Sequence, residues 1–121
     1  MKELNDVWSL DLFVNLYNCN PVDFDEKLIK NICQAVGNKI DPKGEVCGVV
    51  TQFGNHCEDM KGYRSVHETE NSLITGHFVL KNKNVFFNVH SCRGYRPSEV
   101  LKLLEDLLEP ESHSWHKIYR K

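Results

Sequence analysis

Three residues with nucleophilic or proton-transfer capacity stand close together in the second half of the chain: Ser72, His77 and Cys92. A hydroxyl can attack a carbonyl, an imidazole can carry a proton, and a thiol can attack or donate. Counted from Ser72, the histidine is five positions on and the cysteine twenty. Ser72 to Leu80 and Val85 to His90 are apolar, β-prone runs. Lys81-Asn82-Lys83-Asn84 between them is a tight-turn sequence. The hairpin brings Cys92, just past its second strand, back towards Ser72. A hydroxyl, an imidazole and a thiol therefore have a route to convergence. Chance is the competing explanation, because polar residues often share a sheet without a common task.

The rest of the chain supplies elements to hold such a hairpin. Val7 to Tyr17 carries Trp8, Leu10, Leu12, Val14 and Leu16 at even spacing, which predicts a half-buried strand. Asp23 or Asp25 can cap a following helix that runs to about Val36. Phe24, Leu28, Ile32 and Val36 form its stripe, with Ile29 and Cys33 beside it, and Gly37 predicts its stop. Val46 to Phe53 predicts a strand, Gly54 to Gly62 a polar loop, and Ser65 to Glu70 a weakly alternating strand. Pro97 suits the first turn of a second helix. Its apolar face is Val100, Leu101, Leu104, Leu107 and Leu108, and Pro110 ends it. Trp115 to Tyr119 predicts a final edge strand. Two amphipathic helices on one face of an antiparallel sheet make an α+β two-layer sandwich.

Composition narrows the task. The chain has 121 residues, one domain's worth, spanning 1–121. Apolar residues are 40% and charged residues 26%, which suits a folded core. With 15 basic and 17 acidic side chains the net charge is −2, so there is no basic excess to bind nucleic acid. No run approaches the ~18 apolar residues of a membrane span. Acids in MKELNDVWSLDLF occupy the stretch where a signal peptide would be apolar. The expectation is a soluble cytoplasmic protein whose five cysteines, an odd number with no CxxC pair, are free thiols.

Other groupings are weaker. His56 and Cys57 with His67, or His113 with His116, lack the two well-spaced pairs of a structural zinc site, so no metal is expected. Glu58, Asp59, Glu68 and Glu70 read as a solvated surface. Phe53, Tyr63, Phe78, Phe86 and Phe87 read as core, although one could stack on a base.

The segment SLITGHFVLKNKNVFFNVHSC resembles the core of the prokaryotic S-adenosylmethionine decarboxylase proenzyme family. Ser72, His77 and Cys92 reproduce both of that family's intervals without a gap. LDLFVNLYNCNPVDFDEKLIKNICQAVGNKI is similar to its opening strand, turn and first helix. The proline and leucine-rich helix after Cys92 also fit. The resemblance implies a pyruvoyl-dependent decarboxylase. Ser72 would attack the carbonyl of Asn71, and β-elimination of the ester would leave a pyruvoyl group at position 72. That group would form an imine with the substrate amine and act as an electron sink. His77 would assist proton transfer in cleavage, and Cys92 would return a proton to the decarboxylated carbon. The substrate would be S-adenosylmethionine, the pathway polyamine synthesis, and the assembly a homo-oligomer, at least a dimer, without metal.

Several positions depart from the family pattern, among them polar VHETE where the family has an apolar strand before the cleavage site. Asn71 stands where the family has glutamate. The family's processing serine, eight positions upstream of the cleavage site, falls on Arg64, with Ser65 one place away. Leu80-Lys81 replaces a Pro-Glu pair whose acid meets the substrate ribose, and a lysine cannot accept hydrogen bonds. Two alternatives follow. One is an uncleaved, non-catalytic paralogue that binds S-adenosylmethionine or a related nucleoside, or partners an active subunit. The other is a pyruvoyl decarboxylase for another amino acid.

Overall fold

The computed structural model describes residues 7–20 and 23–121; the acidic opening stretch and Pro21 lie outside them. Six strands and two helices follow one another: β1 (Ser9–Tyr17), α1 (Glu26–Ile40), β2 (Cys47–Phe53), β3 (Gly62–Glu68), β4 (Ser72–Val79), β5 (Val85–Ser91), α2 (Pro97–Leu108) and β6 (Ser112–Arg120). The strands form one sheet in the order β2-β3-β4-β5-β1-β6, with every neighbouring pair antiparallel. Both helices cover one face, and the other is open. This is the expected α+β architecture.

Alternation along the strands sorts side chains between the two faces. Leu12, Leu16, Ile74, Phe78, Val85, Phe87 and Val89 point under the helices and are buried. They meet Ile29, Ile32 and Val36 of α1, and Val100, Leu104 and Leu108 of α2. Phe78 anchors the layer edge-on, 5.4 Å from both Phe24 and Phe87. The open face carries Val49, Val66, Leu73 and Ile118, all well exposed.

Of the two candidate caps it is Asp25 that starts α1, its carboxylate accepting from the Leu28 N–H at 2.7 Å. Gly37 does not stop that helix, which continues to Ile40. The glycine answers a packing demand instead: a Cβ there would lie 2.6 Å from a Val46 methyl. Helix and β2 entry can approach this closely only without a side chain. In α2 it is Leu103, not Leu107, that packs beside the buried Val100, Leu101, Leu104 and Leu108. Glu109 ends α2 in the left-handed region at φ 44°, one residue before Pro110. The last strand is longer than expected, because its polar ends pair with β1 along Ser112–Arg120.

Candidate active site

Ser72 opens β4 directly opposite Ser91, the last residue of β5. Its hydroxyl is buried and donates to Ser91 Oγ at 3.0 Å. Ser91 Oγ also accepts from the Arg93 N–H at 3.0 Å. The Ser72 proton thus has an ordered acceptor, which fixes the orientation of the hydroxyl.

The residue before Ser72 meets the residue after Ser91. The Asn71 carbonyl oxygen accepts from the Cys92 backbone N–H at 3.0 Å and from its thiol at 3.4 Å. Two donors therefore converge on one peptide oxygen, the Asn71–Ser72 carbonyl. Negative charge on that oxygen would find an electrostatic cradle already in place. Hairpin geometry builds this corner: β4 enters where β5 exits, so residues 71 and 92 extend the ladder by one step.

Asn71 is also gripped from its side chain. Its amide Nδ2 donates to Asp41 Oδ2 at 3.2 Å. The other oxygen of Asp41 accepts from Arg93 Nη1 at 3.3 Å. Ser91, Asp41 and Arg93 carry no motif of their own in the sequence. Ser91 follows from hairpin register once Ser72 is chosen. Asp41 has no such signal, because only tertiary packing brings the end of α1 to this corner.

The expected convergence of all three residues does not occur within one chain. Cys92 reaches the carbonyl of the Asn71–Ser72 peptide, but His77 does not join them. Its offset from Ser72 is odd, so its side chain lies on the open face while Ser72 lies on the helix side. Five strand residues also separate them by roughly 16 Å. His77 pairs with Arg64 across β3 and packs on Phe53, ring centroids 5.4 Å apart. Burial, and then the Arg64 charge, hold its imidazole below the usual histidine pKa. Ser65 is likewise out of reach. It sits opposite Gly76, fully buried under α1, and accepts from the Cys33 thiol at 3.4 Å.

A cleft of about 420 Å³ opens beside the corner, lined by Trp8, Leu10, Ser91, Cys92, Tyr95 and Tyr119. That volume suits a small-molecule site, apolar with a few polar groups. The Tyr95 hydroxyl donates to the Val89 carbonyl at 2.8 Å, and burial raises its pKa. Cys92 is exposed, whereas Cys19 and Cys33 are buried and their thiols are pushed up to about 11 by that burial. Cys92 is thus the accessible thiol of the corner. Among the described residues, no group of three His, Cys, Asp or Glu is placed to hold a metal ion.

The comparisons with known proteins agree with this architecture. The model of the S-adenosylmethionine decarboxylase family matches residues 10–121. No curated protein matches the chain in sequence. Among solved structures, the adenosylmethionine decarboxylase from Aquifex aeolicus VF5 is similar, with a TM-score of 0.72 and 16% identity. That match covers 94% of this chain and 91% of the other, and shows a shared fold. With the family match spanning nearly all of the sequence, the chain belongs to the S-adenosylmethionine decarboxylase family.

Proposed function

We propose that the chain is a proenzyme that cleaves itself between Asn71 and Ser72. It then decarboxylates S-adenosylmethionine with a pyruvoyl group made from Ser72, feeding polyamine synthesis. The carrying observation is the pair of Cys92 donors on the Asn71 carbonyl oxygen, beside the Ser72 hydroxyl.

The residues present fit that chemistry. Ser72 Oγ bonds to the Asn71 carbonyl carbon as the peptide C–N bond breaks. Ser91 takes part in moving the hydroxyl proton, which ends on the freed amine. Cys92 N–H and S–H stabilise the oxyanion that forms between these states. The ester then loses the Ser72 Cα proton, the Cβ–Oγ bond breaks, and Asn71 leaves as a carboxylate. Water replaces ammonia at the new chain end, leaving a ketoacyl group. A ketoacyl group at position 72 would supply an electrophilic carbonyl for the substrate amine and an electron sink for loss of its carboxylate. The Cys92 thiol holds a proton at the cleft, where a product carbon can receive it.

The assembly belongs to the same proposal. His77 belongs to the open face, on the opposite side of the sheet from Ser72. The open face supports a homodimer, because Val49, Val66, Leu73 and Ile118 are exposed there and a second copy would cover them. Sedimentation velocity of the purified chain tests this. A dimer that Val66→Asp with Leu73→Asp splits into monomers is the expected result, and a monomeric wild type contradicts it.

The decarboxylation is tested by release of labelled CO₂ from carboxyl-labelled S-adenosylmethionine. Release by the wild type and none by Ser72→Ala is expected; equal release by both contradicts the reading. A second substrate has one observation in its favour. Lys81 stands in place of the ribose-binding acid and is ion-paired with Asp59. Release from another amino acid, and none from S-adenosylmethionine, would select that reading.

A further inference from the structure

Asp41 is an expensive residue where it stands. Its carboxylate is almost fully buried, at 3% side-chain exposure. It follows the last turn of α1, at the helix's negative end, where a carboxylate is disfavoured. Capping does not explain it: the bond that closes the helix is made by the Asp41 backbone N–H to the Gly37 carbonyl, at 2.9 Å. A buried carboxylate persists only when charge and hydrogen bonds compensate its lost hydration.

Both compensating partners belong to the candidate site. Asp41 Oδ2 accepts from the Asn71 side chain at 3.2 Å, and Oδ1 accepts from Arg93 at 3.3 Å. Asn71 precedes the proposed scissile bond, and Arg93 follows Cys92. The loop after α1 is shaped around the carboxylate, since the Asp41 carbonyl accepts from Gly44 N–H at 3.0 Å. A Cβ at Gly44 would lie 2.7 Å from the carboxyl group, so a side chain there would push the carboxylate off its partners.

We propose that Asp41 is a positioning residue for self-cleavage. One carboxylate clamps residue 71 and residue 93, and so fixes the Asn71 carbonyl against the Cys92 donors while Ser72 attacks. This rests on the Asn71–Ser72 cleavage proposed above. The clamp acts on ester formation, because it holds the peptide on the N-terminal side of the bond that breaks. Loosening it lets the carbonyl drift from its donors, and a drift of about 1 Å can cost on the order of a hundredfold in rate.

The test uses freshly purified full-length chains followed by intact mass, with hydroxylamine present to cut any ester as it forms. Wild type, Asp41→Asn, Asn71→Asp and the paired Asp41→Asn, Asn71→Asp exchange are compared. Folding is checked by thermal melting of the same substitutions in a Ser72→Ala background, where no chain can cleave. Asp41→Asn can accept from Asn71 or from Arg93 but sets an N–H donor against the other, and should slow ester formation roughly tenfold or more. Asn71→Asp sets two carboxylates face to face and should slow it as well. The exchange restores one donor and one acceptor, keeps an oxygen for Arg93, and should return the rate to within about threefold of wild type. A wild type that forms no ester overturns the cleavage reading and this inference together. A wild type that cleaves beside an equally fast Asp41→Asn overturns the inference alone. So does a folded exchange variant that stays slow, or an Asp41→Asn chain that fails to fold.

Discussion

At the residue scale, Cys92 has two separable duties. Its backbone N–H and its thiol both reach the Asn71 carbonyl, at 3.0 and 3.4 Å. Cys92→Ala removes only the second. Cleavage should persist, slowed by roughly tenfold, because the stronger donor is retained. Turnover should fall much further, since the accessible thiol of the cleft is gone. Fragment appearance on a gel and CO₂ release from the cleaved protein separate the two effects; equal losses in both would contradict this division. Ser91→Ala leaves the buried Ser72 hydroxyl without its acceptor and should slow cleavage by about tenfold or more while CO₂ release per cleaved chain is kept. Ser72 and Cys92 were legible as neighbours because a hairpin returns the chain at a countable distance. His77 was misplaced because its odd offset puts it on the far face, and strand parity alone decides this. Asp41 was invisible for the opposite reason: nothing local marks a residue whose partners lie across the fold.

At the element scale, Gly37 shows how one residue can be read correctly as special and wrongly as to why. Glycine inside a helix costs about 1 kcal/mol against alanine, so a stop is the natural inference. The contact with Val46 reverses it, since a Cβ would lie 2.6 and 2.8 Å from the two valine methyls. Gly37→Ala should therefore destabilise by about 1–3 kcal/mol through overpacking. In a Val46→Ala background the same change should turn neutral or stabilising by up to about 1 kcal/mol. Urea midpoints of the four proteins check this, and an unchanged sign in the second background would contradict it. The strands β4 and β5 were legible almost to the residue, because both alternate cleanly and a turn sequence separates them. The ends of β6 were not, because Ser112, His113 and Arg120 carry no apolar period and owe their strand to pairing with β1.

At the scale of the whole molecule, the sheet has one face under helices and one face open. Stability should depend on pH through what the covered face hides. His67 lies under α1 at 3% exposure, and its Nδ1 has no hydrogen-bond partner. Burial, and then the charge of Lys30, lower its pKa below the ordinary 6.5. The unfolded chain therefore takes up the proton first as pH falls. The stability that His67 contributes is intact above about 6.5 and is lost progressively as pH drops towards the folded pKa. His77 shifts in the same direction, so both act together. Urea midpoints should fall between about pH 7.5 and pH 5, and His67→Leu should flatten that slope. A slope unchanged by His67→Leu would contradict this origin.

Every role proposed for the corner depends on whether the Asn71–Ser72 bond breaks. The most direct measurement is the intact mass of the purified chain under denaturing conditions. The expected result is two fragments, one ending at Asn71 and the other beginning at position 72 with a ketoacyl end that resists sequencing. A single species of full-chain mass after long incubation would contradict the account and leave a silent, ligand-binding member of the family.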